Sequence, residues 1–173
     1  MLDLPMNFEP GSRFEYTNGV SHLLSCIITE QTGVSAAEYA EEHLFGPLGI
    51  NDYTWEADSQ GRNWGYTRIY FNPHDMAKIG FLFLNYGEWD GEQVISEEWV
   101  REATTHRIDA NILDGYGYQW WVGDGYYLAL GYQGQFIFVY PEHDLIIVFT
   151  SSSPETFDYA INLPNKYVLP ALD

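Results

Sequence analysis

The feature that most constrains the fold is a change of hydrophobic period near Tyr116. Before it, apolar residues recur at helical spacing; after it, short apolar runs are cut by tight turns. Two hairpins are expected: 116–122 with 126–130 around Gly123-Asp124-Gly125, and 135–140 with 145–150 around Pro141-Glu142-His143-Asp144. The tail 157–172 reads as a helix interrupted at Pro164. The order helices, antiparallel strands, helix implies an α+β fold, an antiparallel sheet flanked by helices. No internal repeat, low-complexity stretch or composition shift marks a boundary, so 1–173 reads as a single domain. With 46% hydrophobic and 17% aromatic residues, the 173-residue chain can bury a sizeable core.

The helical half is punctuated clearly. Val20, Leu23, Leu24, Ile27 and Ile28 carry helical spacing, and Gly33 is placed to end that helix. Ser35-Ala36-Ala37-Glu38 reads as a capping box, opening a helix through Tyr39 and Leu44 that Gly46-Pro47 closes. The stretch 51–68 is polar and aromatic with two glycines, and reads as a loop. Asn72-Pro73-His74-Asp75 supplies a cap, a first-turn proline and an acid, starting a helix that stops near Gly87. Glu88-Trp89-Asp90-Gly91 reads as a tight turn, and Ser96 caps a short helix holding Trp99 and Val100.

The stretch from Phe8 to Asn18 places Tyr16 and Asn18 where a loop meets a helix start. The positive end of a helix macrodipole favours an anionic oxygen, so a phenol there suits a catalytic base. A tyrosine packed under a loop beside an N-cap asparagine fits the same position.

Phe8-Glu9-Pro10-Gly11 followed by Phe14-Glu15-Tyr16-Thr17-Asn18 resembles the Tyr-x-Asn element of the β-lactamase-related serine hydrolases. That family includes class C β-lactamases, DD-peptidases, esterases and aminohexanoate-oligomer hydrolases. Thr32-Gly33-Val34-Ser35, Pro47-Leu48-Gly49-Ile50, Asn72-Pro73-His74-Asp75-Met76-Ala77-Lys78-Ile79-Gly80 and Tyr116-Gly117-Tyr118-Gln119-Trp120-Trp121 are similar to further family stretches. They occur in the family's order.

The resemblance implies an ester or amide hydrolase working through an acyl-enzyme, without a cofactor. Tyr16 would be the general acid/base and Asn18 a polar positioner. In Ala129-Leu130-Gly131-Tyr132-Gln133-Gly134-Gln135, Gly131 matches the family's third element, while Ala129 and Leu130 stand where it has charged and hydroxyl residues. The backbone N–H of Tyr132 would then be an oxyanion donor, beside Gly131 and Gln133; glycines that merely shape a strand turn fit equally. The family's Ser-x-x-Lys pair does not occur: the residues three before Lys78 and Lys166 are Asp75 and Leu163. The expectation is therefore the C-terminal part of a longer hydrolase, its fold lacking the N-terminal part, inactive alone, with an exposed sheet edge and apolar face that favour self-association or a complementing N-terminal segment.

Seven basic against 25 acidic residues give a formal charge of -18, which disfavours nucleic-acid backbones and anionic membranes. No apolar run is long enough to span a bilayer. The single cysteine, Cys26, lies on an apolar helical run and reads as a small hydrophobe. Bacterial cytoplasm, periplasm and secretion are all compatible. The five histidines show no metal-ligand spacing, so no metal site is expected; His22 lies one turn past Asn18 and is a candidate to line the site. Trp55, Trp64, Tyr66, Trp120, Trp121, Tyr126 and Tyr132 offer walls for a pocket, with Trp64 and Trp120 as candidate substrate contacts, or else core. A non-catalytic module binding glycan or peptidoglycan through that aromatic group is the alternative.

Overall fold

Helix α1, Asn18–Thr32, starts where the pattern places it, but its cap is Thr17, whose side chain accepts from the Gly19 amide. Asn18 is thus the first helical residue and its side chain is not the cap. Gly33, at φ 76°, ends the helix, its N–H reaching the Thr29 carbonyl. The computed structural model describes residues 5–152 and 157–172. They fall into two compact units meeting at Asp75 and Met76.

In the first unit, Ser35 caps helix α2, Ala36–Ala40, and the expected capping box with Glu38 is complete. The chain then widens into a π-helical turn, Glu41–Phe45, closed by a bond from the Gly46 amide to the Glu41 carbonyl. Ala36, Phe45, Leu48 and Ile50 form the buried apolar part of this unit. The expected loop 51–68 is not wholly irregular. It contains strand β1, Thr54–Trp55, which pairs with β2, Ile69–Tyr70, and a bridge joins Ala57 to Asn63.

Helix α3, Pro73–Leu84, opens on Asn72, whose Oδ1 accepts from the Asp75 amide at 2.9 Å. Asp90 and Gly91 turn a hairpin between β3, Glu88–Trp89, and β4, Glu92–Gln93. Ser96 caps α4, Glu97–Ala103.

The second unit is built on an antiparallel sheet of six strands that follow one another in chain order. They are β5 (Ile108–Asp109), β6 (Gly115–Tyr116), β7 (Trp121–Gly123), β8 (Tyr126–Gly131), β9 (Gln135–Tyr140) and β10 (Leu145–Phe149). Both expected hairpins form, but the strand expected over 116–122 is broken. Gly117 donates to the Trp120 carbonyl, Tyr118 donates to Ala103, and Gln119 takes φ 64°. A Cβ on Gly117 would meet the Ala103 carbonyl oxygen at 2.1 Å, so only glycine lets the chain turn there. Strand β5 lies outside the expected strand region altogether.

Strand β9 is the axis of the core, with Phe136 through Tyr140 all buried. Alternation assigns Ile137 and Val139 to one face, where they cluster with Phe83, Val100, Ala103, Trp120 and Tyr127. A Cβ on Gly80 would lie 2.8 Å from methyls of Ile137 and Ile146, so that glycine seats α3 directly on the sheet. Phe136, Phe138 and Tyr140 take the opposite face, and the Tyr140 hydroxyl bonds Asn165 at 3.0 Å. Asn165 belongs to a π-helical turn, Pro164–Val168, that follows α5, Phe157–Leu163, so Pro164 does interrupt the tail helix. Helices against an antiparallel sheet are the α+β class expected.

Candidate functional site

The start of α1 carries the first group of candidates. Tyr16 lies two residues before the helix, with 52% of its surface exposed, just outside the turn whose amides point outward. Asn18 opens the helix, and His22, four residues on, shares its face. The sequence-level picture of a packed tyrosine beside an N-cap asparagine does not hold, because Tyr16 is open and Thr17 is the cap.

His22 is gripped from several sides. Its Nδ1 faces the Gly65 amide at 3.5 Å, and Nε2 faces Asp58 Oδ2 at 3.6 Å. The ring stacks on Trp64, centroids 5.1 Å apart at 29°, and meets Tyr66 edge-on at 6.2 Å. Trp64 and Tyr66 pack edge to face at 5.7 Å. The Arg62 amide, then the Gln60 amide and the nearby His22 and Arg62 side chains, hold the Asp58 carboxyl below the usual range, against the opposing effect of burial. A Cβ on Gly65 would meet the Ser21 carbonyl oxygen at 2.1 Å, so the loop approaches α1 as closely as backbone allows.

Asn63 anchors the same loop. It is 4% exposed; its Oδ1 accepts from Ala37 N–H at 3.0 Å, its Nδ2 donates to the Trp55 carbonyl at 3.0 Å, and its carbonyl accepts from Ser25 Oγ at 2.7 Å. The side chain thereby joins α2 and β1, and the backbone carbonyl of the same residue ties in α1. Sequence reasoning missed both Asn63 and Asp58. Asp58 meets His22, and Asn63 meets Ser25 and Ala37, only across a long stretch of chain, and no pattern within 51–68 announces those pairings. Cys26, expected as a buried hydrophobe, is half-buried.

The second group sits in the other unit, in the β8–β9 hairpin. Gly131 pairs with Gln135, leaving Tyr132, Gln133 and Gly134 as the loop. Gln133 and Gly134 both have positive φ, 61° and 86°. Tyr132 is 82% exposed at the tip. Gly131 and Gln133 accompany it there. Tyr16, Asn18 and Trp64 therefore belong to the first unit, and Gly131, Tyr132 and Gln133 to the second.

Trp120 requires correction as a substrate contact. It is 6% exposed, its ring packed on Phe83 at 4.5 Å and on Tyr127 at 5.3 Å, so it is core. Trp121 is 2% exposed. Two of the seven aromatic residues offered as pocket walls, Trp120 and Trp121, are therefore core. Burial cannot be read from an aromatic side chain's identity. Among the described residues no cluster of His, Cys, Asp and Glu could hold a metal ion, and no helix is long and apolar enough to cross a membrane.

The beta-lactamase family model matches residues 1–167. A 6-aminohexanoate-dimer hydrolase of Paenarthrobacter ureafaciens is 28% identical over 156 residues, covering 82% of this chain and 40% of its own length. Among solved structures, a Bacillus anthracis protein provisionally named a 6-aminohexanoate-dimer hydrolase superposes with a TM-score of 0.78 at 25% identity, covering 96% of this chain and 47% of that one. A beta-lactamase from Mycobacterium bovis superposes with a TM-score of 0.67 at 16% identity, over 92% of this chain and 66% of that one, a likeness of fold. The chain spans less than half the length of the two aminohexanoate-type relatives.

Proposed function

Since the chain belongs to the beta-lactamase family, we propose that it supplies the acid–base and oxyanion groups of a serine hydrolase that cleaves an ester or amide through an acyl-enzyme. The serine and lysine would come from residues outside this sequence, which holds no Ser-x-x-Lys, so the chain alone would be inactive. In the first half-reaction the serine oxygen bonds to the substrate carbonyl carbon while Tyr16 takes its proton. Collapse of the tetrahedral species breaks the bond to the leaving group, which receives that proton. Water then repeats the sequence and releases the acid. Asn18 positions the substrate carbonyl or the lysine, and the Tyr132 N–H stabilises the developing oxyanion.

The observation carrying this reading is the exposed placement of Tyr16 directly before the first turn of α1. In a chain extended upstream in its own reading frame, Tyr16→Phe is expected to lower kcat about 10²–10⁴-fold with little change in KM. A loss below threefold would remove Tyr16 from the role.

The partner is part of the same proposal. Val20, Leu24 and Ile27 recur along α1 and are all exposed, and among the described residues β10 pairs only with β9. Both features support a complementing segment as partner, and a charge of -18 per copy opposes self-association. Sedimentation that shows a single stable monomer, unchanged by adding the upstream segment, would count against it.

A further inference from the structure

The side chain of Gln135 ties together three stretches of backbone at the mouth of the β8–β9 hairpin. We propose that Gln135 is a positioning residue that fastens the hairpin tip and so keeps the Tyr132 N–H in place as an oxyanion donor. The proposal rests on the hydrolase reading for the role of that N–H; the fastening itself is a property of this chain.

With 82% of its surface exposed, Tyr132 has little side-chain packing to place its own backbone. The residues on either side must set its position. On one side stands the last rung of the β8–β9 ladder, Gly131 opposite Gln135. A Cβ on Gly131 would lie 3.0 Å from the Gln135 Cβ and 3.6 Å from its Cγ. The stem of Gln135 therefore crosses directly over the residue that precedes the donor. Beyond the stem, Gln135 Nε2 donates to the Ser151 carbonyl. Ser151 lies just past β10, whose last residue, Phe149, pairs with Phe136. One half-buried side chain thus fastens the end of β8 and the start of β9 to the chain that leaves β10. On the other side of Tyr132, Gln133 takes φ 61° and the buried Gly134 takes φ 86°. A non-glycine residue keeps such a left-handed conformation only where its surroundings fix it. The rung and the tie to Ser151 are the surroundings that this three-residue tip has. An oxyanion donor works only within a narrow range of positions, about 2.7–3.1 Å from the oxygen, so a loosened tip would weaken it.

The test uses Gln135→Glu, which keeps the shape of the side chain and, once ionised, removes its donor. In the chain extended upstream in its own reading frame, hydrolysis of p-nitrophenyl acetate is compared with that of its thiono analogue, whose sulfur accepts hydrogen bonds poorly. Gln135→Glu is expected to lower kcat for the ester about 10- to 100-fold with KM little changed, and to lower the thiono rate by less than about threefold. The ester-to-thiono preference should therefore fall about tenfold, a change that a merely structural loss would not produce. Hydrogen exchange supplies the second readout. The Gly134 amide should exchange about tenfold faster in the variant while the Phe138 amide stays slow. A kcat within about threefold of the parent, an equal loss on both esters, an unchanged Gly134 amide, or equal acceleration at Phe138 would each overturn the proposal. Failure of the hydrolase reading is seen separately, as absence of a fluorophosphonate adduct on the unsubstituted extended chain, and the oxyanion role of Gln135 falls with it. An adduct with an unchanged ester-to-thiono preference keeps the hydrolase and removes Gln135 from the role.

Discussion

Asn63 and Phe138 hold their respective units together by opposite means. Asn63, buried at 4%, joins two helices and a strand through hydrogen bonds to Ser25, Ala37 and Trp55. Phe138, fully buried, ties three neighbouring strands together by ring contacts, with Tyr126 of β8, Phe136 and Tyr140 of β9 and Phe149 of β10 around it. The same contrast holds for whole elements. In β9 five successive residues are buried, whereas in α1 the only buried residue is a serine, and Val20, Leu24 and Ile27 remain exposed. A unit held by directional bonds keeps its polar site in register; a unit held by apolar area keeps its fold. The site residues nearest the proposed chemistry, Tyr16 and Asn18, lie in the first kind.

The comparison can be broken most forcibly in the second unit. Phe138→Ala should cost about 3–5 kcal/mol, read as a lower urea midpoint with an unchanged slope. A loss below about 1 kcal/mol would mean that the sheet core is not close-packed. Asn63→Ala should cost less, since it leaves the Ala37 amide and Trp55 carbonyl without their partner, at about 1–3 kcal/mol for a buried group left unpaired. Hydrogen exchange should show the Ala37 amide deprotected while β9 amides stay slow; equal deprotection of both would dissolve the distinction between the units.

Acid should separate the units as well. The carboxyl of Asp58 is held low in the folded chain, so its contribution is present above the unfolded value, about 3.9, and is lost as pH falls through the lower folded value. The loop carrying Trp64 should therefore loosen below about pH 4, and Asp58→Asn should remove that part of the acid response. An identical acid profile for Asp58→Asn would contradict it. The smallest effect is expected at Ser35, where replacement by alanine removes a cap bond to the Glu38 amide at 3.2 Å and costs about 1 kcal/mol.

What the sequence makes legible here follows the range of the interaction. Ser35 with Glu38, Asn72 with Asp75, Ser96 and Gly33 act within a turn of helix, and each cap stands where residue chemistry places it. The period change after Tyr116 likewise gives both hairpins. The break at Gly117–Trp120 is hidden because Gln119 carries no signal for a positive φ. The site divides the same way. Tyr16 and Asn18 are legible because a helix start is a local event. The clasp of His22 by Asp58 and Gly65 is not, since the partners meet only once the loop folds back on α1. Trp120 reads as a cleft wall or as core with equal ease until the sheet buries it.

The central claim is that this chain carries the acid–base half of an acyl-enzyme hydrolase. Intact-mass labelling with a fluorophosphonate and with a penicillin tests it most directly, on this chain and on the chain extended upstream in its own reading frame. The account predicts an adduct on the extended chain alone, lost when the serine of its Ser-x-x-Lys is replaced by alanine, with the reacting probe separating esterase from penicillin-recognising chemistry. An adduct on this chain by itself, or on neither, would contradict it.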